Sequence, residues 1–246
     1  MAAPQISKQF CAADSDLTVS SSDGVRFKVH RKNLEVHSPV FASAQSSTRP
    51  ESGQEVVELS ESSDTLELLF QFMYPQPQPD LQALEFSTFA DLAEAAEKYE
   101  VYSALTLCRM RMNLKDSMSA HPLEVLLYAT RHNHSDLANQ SARHSMGVRV
   151  AKAMEILPLD TFKAWILFRE RWNRATATIL SNMLHSSNAI YSDVVRKCLV
   201  VPNPAYQYHS ELSWVEVVKL EFIPTSSNYP ANDSFVSTQS RRKRVS

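Results

Sequence analysis

Three groups of residues have the types that chemistry requires. His132, Asn133 and His134, together with Asp136 and His144, form the chain's one concentration of histidine and carboxylate. A metal centre takes three or four converging ligands. His132 and His134 are two apart, which on a helix sends their rings to different sides. The cluster is therefore read as a polar turn between helices. Glu94, Glu97 and Glu100 fall three apart and stack along one helix face. Paired carboxylates can divide acid and base work only within a pocket that tunes them. With Lys98 beside them, they are read as a solvated face. The chain is rich in serine, yet it has no G-x-S-x-G elbow to present a nucleophile beside an oxyanion-binding loop. Its three glycines, Gly24, Gly53 and Gly147, are also too far apart for a G-x-G-x-x-G or Walker A phosphate loop. No catalytic residue, cofactor or metal is assigned, and the chain is expected not to be an enzyme.

The elements that must position such residues are those of an ordinary globular chain. The 246 residues allow one or two domains at roughly 100–200 residues each. Hydrophobic residues make up 43% and charged residues 21%, enough to bury a core without metals or disulfides. With 25 basic and 27 acidic residues, the net charge of −2 gives no overall basic field for nucleic acid. Cys11, Cys108 and Cys198 are isolated and odd in number, with no C-x-x-C pair, which fits a reducing compartment. The first ten residues lack the apolar run of a signal peptide, and no segment approaches a membrane span. The expected location is intracellular, cytoplasmic or nuclear. The run Arg241-Arg242-Lys243-Arg244 reads either as a nuclear-import patch or as a solvated terminus. No helix-turn-helix, zinc-finger or zipper pattern accompanies it, so direct reading of nucleic acid is not expected.

Leu17 and Val19, then Val25, Phe27 and Val29, alternate with polar residues around Asp23-Gly24, which predicts a β-hairpin. A short helix over 30–37 follows, and Ser38-Pro39 starts another, with Phe41 and Ala44 inward. Residues 45–55 read as a loop and Val56–Leu59 as a strand. Ser62 or Ser63 caps a helix whose Leu66, Leu69, Phe70 and Met73 share one face. The prolines of 75–79 end it. Helices then follow Ser87 and run from about Val101 to Met112, with Val101, Leu105, Cys108 and Met112 inward. Further helices are marked by Leu123 and Leu126, by Leu137, Ala138 and Ala142, by Phe162, Trp165, Phe168 and Trp172 with Asp160 as cap, and by Ile179, Leu180, Met183 and Leu184. Trp214, Val218, Leu220 and Phe222 read as a strand or packed extended segment.

Five strings appear in order across residues 16–112: Ser15–Val19, Asp23–Arg31, Ser38–Phe41, Phe70–Pro75 and Ala95–Val101. In that order they resemble the BTB/POZ domain. The continuation from His121-Pro122-Leu123 through Ser141-Ala142-Arg143 is similar to that of fungal BTB/POZ proteins, so the likeness spans roughly residues 14–185. It implies an α+β fold, a short three-stranded sheet capped by helices, followed by an all-helical extension. The boundaries expected are an irregular 1–13, the BTB/POZ domain at 14–112, the helical extension at 113–190, and a weakly structured 191–246 with the basic tail.

The resemblance implies a non-catalytic protein–protein interaction module, with homo- or hetero-association as its mode. The partners implied are protein partners, including a second copy in a homodimer or a cullin scaffold, and neither nucleic acid nor membrane. Members of the family serve as cullin ubiquitin-ligase adaptors and as transcription regulators, which are the alternative readings. Asp16 and Arg31 match two positions that form a charged pocket in some dimeric members, and Phe41 joins them as a candidate interaction residue. Two departures stand out. Swapped dimers use an extra N-terminal helix and strand, where this chain has about fifteen irregular residues. Cullin binders usually carry a hydrophobic-x-Glu motif, where this chain has Arg49-Pro50-Glu51.

Overall fold

The computed structural model describes residues 5–44, 56–185 and 213–222. They fall into two compact units, Met1–Gly147 and Val148–Ser246. The expected loop at 45–55, Arg49 and Pro50 within it, Cys198, and the patch Arg241, Arg242, Lys243 and Arg244 all lie outside the described residues.

The first unit is α+β. Its strands are β1 (Ile6–Cys11), β2 (Leu17–Ser20), β3 (Arg26–Val29) and β4 (Val56–Glu58). Helices α1 (Arg31–His37) and α2 (Pro39–Ala44) separate β3 from β4. After β4 come α3 (Ser63–Gln71), a 3-10 turn at Leu81–Ala83, α4 (Phe86–Lys98), α5 (Tyr102–Met112), α6 (Lys115–Ala120), α7 (Pro122–Arg131) and α8 (Ser135–His144).

The hairpin forms as expected. β2 and β3 pair antiparallel, with Val19 opposite Phe27 and Leu17 opposite Val29, and all four are buried. Gly24 supplies the positive φ, at 82°. The Ser21 hydroxyl closes the turn, accepting from the Val25 N–H at 3.0 Å and donating to the Val25 carbonyl at 3.1 Å.

The sheet is larger than expected. Among the described residues it has four strands, in the order β1-β3-β2-β4, with β1 parallel to β3 and β4 parallel to β2. β1 lies in the segment expected to be irregular. Its register shifts between Ile6 and Cys11, so its inward residues, Ser7 and Phe10, are three apart. That spacing breaks the two-residue alternation by which a strand is read. The Ser7 hydroxyl stabilises the irregularity by accepting from the N–H groups of Gln9 and Phe10, each at 3.2 Å.

Helix α3 packs on this sheet. Ser62 is its cap, accepting from the Thr65 N–H, and Leu66, Leu69, Phe70 and Met73 are fully buried. Phe70 meets Phe10 and Phe27 edge-on, at centroid separations of 5.6 and 5.5 Å. At the tip of the hairpin, the Asp23 carboxylate accepts from the Ser63 N–H and hydroxyl, at 2.9 and 2.6 Å. The Ser21 and Ser63 hydrogen bonds hold that carboxyl below its ordinary range. α4 begins at Phe86, one residue before Ser87, and Glu85 caps it without a side-chain bond. Helices α6 to α8 group with the first unit, so no break between compact units falls at residue 112.

The described part of the second unit is helical: α9 (Val150–Ile156), α10 (Leu159–His185) and α11 (Trp214–Phe222). The two helices expected around Trp165 and Ile179 are one, because no glycine or proline interrupts 159–185. Asp160 lies inside its first turn rather than capping it. Trp214–Phe222 is also a helix, not a strand. Ser213 caps it, its hydroxyl accepting from the Glu216 N–H, and Trp214 and Val217 are buried three apart. Trp214 meets Phe168 edge-on at 5.9 Å. None of the described helices is long and apolar enough to cross a membrane.

Candidate interaction surface

Asp16 and Arg31 meet: an Asp16 carboxylate oxygen accepts from the Arg31 N–H at 2.7 Å. That bond satisfies a free amide at the start of α1. Asp16 is exposed. Beside it, Asp14 lies 3.3 Å from His30 Nε2, and His30 Nδ1 lies 3.1 Å from the Tyr74 hydroxyl. Burial raises the Tyr74 phenol above its ordinary value. Phe41 is half-buried and stacks on Tyr99 at 4.9 Å. It is not part of the Asp16 cluster.

Tyr99 joins the end of α4 to the β4–α3 turn. Its hydroxyl donates to Glu61 Oε2 at 2.6 Å, and Lys98 Nζ reaches Glu61 Oε1 at 2.6 Å. Burial pulls the Glu61 carboxyl upward, but the Lys98 and Tyr99 hydrogen bonds outweigh it and leave it below its ordinary value. Burial, with Glu61 opposite, pushes the Tyr99 phenol far up. A groove of about 560 Å³ opens here, lined by Ser60, Glu61, Asp91, Glu94, Lys98 and His132.

Glu94 and Glu97 of α4 are not a solvated face, whereas Glu100 lies past the end of α4 and is exposed. Glu94 takes Arg131 on one oxygen and His132 Nε2 on the other, the latter at 2.8 Å. Glu97 Oε1 accepts from three elements: Arg109 of α5 at 3.1 Å, the Tyr128 hydroxyl of α7 at 2.8 Å, and His134 Nε2 at 2.7 Å. The Glu97 side chain is only 13% exposed. Burial again works upward, and the bonds from His134, Tyr128 and Arg109 overcome it, so Glu97 stays ionised below its ordinary range. An ionised carboxylate only accepts, so each imidazole must carry its proton on Nε2. The Tyr128 phenol is driven far up by burial and by Glu97, and so remains a donor.

His132 and His134 therefore do not point to different sides. Asn133 between them has a positive φ of 58°, a conformation asparagine tolerates. It ends α7, starts α8, and turns both rings toward α4, with centroids 6.2 Å apart. The expectation of a polar turn holds, but its partners were not legible. Among the described residues no group of three His, Cys, Asp or Glu side chains is arranged for a metal ion.

On the other side of α5 the surface is apolar. A groove of about 640 Å³ runs between Pro79–Gln82 and α5, with Leu81, Leu107, Met110 and Leu114 in its lining. Met110 is 62% exposed and Leu114 45%. Arg111 fixes the far wall: it donates to the carbonyls of Leu81 and Leu84 and lies over the Phe89 ring at 4.1 Å. Arg109 and Asn113 line this groove and also a second one, of about 260 Å³, whose other wall is His134–Leu137 and Gln140 of α8. Sequence reading missed this strip, yet a signal existed. Met110 is a large apolar residue outside the inward set Leu105, Cys108 and Met112.

Residues 6–115 match the BTB/POZ domain family. No curated protein matches the chain. The matched region takes in β1 and ends just past α5, where 14–112 was expected. The segment similar to a BTB/POZ domain thus holds the small mixed sheet, and the described residues after it are mostly helical. BTB/POZ domains are protein–protein interaction modules and in general not enzymes.

Proposed function

We propose that this protein docks other proteins through the strip along α5, by shape and apolar contact rather than by covalent chemistry. The observation that carries the reading is the exposure of Met110 and Leu114 in a groove whose walls are already held in place by Arg111. Large apolar side chains gathered at one surface are a docking feature of soluble domains. Fully burying a side chain of this size contributes about 1.5–3 kcal/mol, and covering the exposed part of each contributes roughly half of that. A groove of this shape, open along a helix and continued toward α8, suits an amphipathic helix, read through side chains at helical spacing.

The resemblance makes the N-terminal repeats of a cullin the first partner to test, with the chain as a ubiquitin-ligase adaptor. Calorimetry with purified full-length protein should give binding that Met110→Asp weakens by more than about tenfold. Binding that Met110→Asp leaves intact would move the docking surface elsewhere. No binding by the native chain, together with a dimer mass in light scattering that Met110→Asp converts to monomer, would make a second copy the occupant.

A further inference from the structure

We propose that Glu97 is a positioning residue for the docking surface: its one buried carboxylate oxygen ties the α5 wall and the α8 wall of the smaller groove to a common point on α4. This rests on reading the α5 strip as the docking surface. The ties are Arg109 from α5 and His134 from α8, and both side chains also line that groove. Tyr128 adds a third tie from α7, at 2.8 Å. The groove's opening is thus fixed by an atom that does not line it, because Glu97 sits behind the two residues that do.

The geometry favours a fixed separation over a sliding one. Three donors converge on a single oxygen at 2.7–3.1 Å, and the side chain is only 13% exposed, so few waters can substitute when one donor leaves. The neighbouring carboxylate does a different job. Glu94 holds Arg131 and His132 at the end of α7 and touches neither wall of the groove. The two acids, one helical turn apart, separate the anchoring of α7 from the spacing of α5 and α8.

The test uses the full chain with Cys11→Ser and Cys198→Ser, leaving the buried Cys108, and with nitroxide labels introduced by Thr106→Cys on α5 and Gln140→Cys on α8. Both label positions are exposed. Pulsed electron resonance should give a narrow distance distribution for the parent protein. Glu97→Leu should lose the narrow peak and shift to longer distance. Glu97→Gln, which keeps one acceptor oxygen at the same reach, should restore most of it, and Glu94→Leu should leave it narrow. A narrow, unshifted peak in Glu97→Leu overturns the proposal, and so does equal broadening in Glu94→Leu. Should Glu97→Leu fail to fold, Arg109→Met and His134→Phe each cut one tie. Broadening in either supports the proposal, and a native distribution in both overturns it. These distances need no partner, so they stand apart from the calorimetric result that decides the docking reading.

Discussion

Two junctions of the first compact unit are built in opposite ways. Where the sheet meets α3, Phe10, Phe27 and Phe70 interlock, and no charged side chain takes part in those ring contacts. Where α4 meets α5, α7 and α8, Glu94 and Glu97 gather two arginines, two histidines and a tyrosine. The first junction is held by area removed from water, which is non-directional and tolerant of small shifts. The second is held by directed bonds to ionised groups, each stronger than a neutral bond and each costly to leave unmade. An aromatic junction therefore sets how stable the unit is. A polar junction sets where its helices sit.

The largest effect that would probe this contrast is Phe70→Ala, which removes the shared ring from the aromatic set. It should cost about 3–5 kcal/mol, seen as a lowered urea midpoint. Next comes Glu97→Leu, which should cost about 1–3 kcal/mol because the buried Tyr128 and the largely buried His134 lose their acceptor. Pairing it with Tyr128→Phe should be less than additive, since both remove one bond. A full sum of the two costs would show that Tyr128 stabilises the unit by another route.

Acid should act on the polar junction through Glu97, and on Glu61 and Asp23 outside it. Glu97 and Glu61 both sit below their ordinary value of 4.5 in the folded protein. Their contribution is complete above that value and is lost as pH falls through the lower folded values. The urea midpoint of the native protein should therefore drop more steeply between about pH 5 and about pH 3 than that of Glu97→Gln. Parallel curves would remove Glu97 from the acid response. The smallest effect belongs to Arg131→Met. Arg131 is half exposed, and its pair with Glu94 should be worth about 0.5 kcal/mol or less.

The same contrast decides what the sequence could reveal. The inward face of α3 was legible because Leu66, Leu69 and Phe70 encode it within one stretch, with the buried Met73 two residues past its end. β1 was not, because its inward residues, Ser7 and Phe10, are three apart and one of them is polar. The polar junction was half legible. His132, His134, Glu94 and Glu97 stand out by type, but nothing local pairs residues 37 or 38 positions apart. The left-handed Asn133 overrode the helical reading that separated the two rings. Ser213-x-x-Glu216 was a helix start that the loose alternation of Trp214, Val218 and Phe222 concealed.

The network on Glu97 also orders events during synthesis. The hairpin partners of β2 and β3 leave the ribosome within about a dozen residues of each other. The donors of Glu97 come 12, 31 and 37 residues after it. While α4 is newly made, Glu97 therefore stands in water. It acquires its last donor only when His134, nineteen residues beyond the matched BTB/POZ segment, has been added. The matched segment ends at residue 115, but α4 gains its last side-chain partner on Glu97 only with His134.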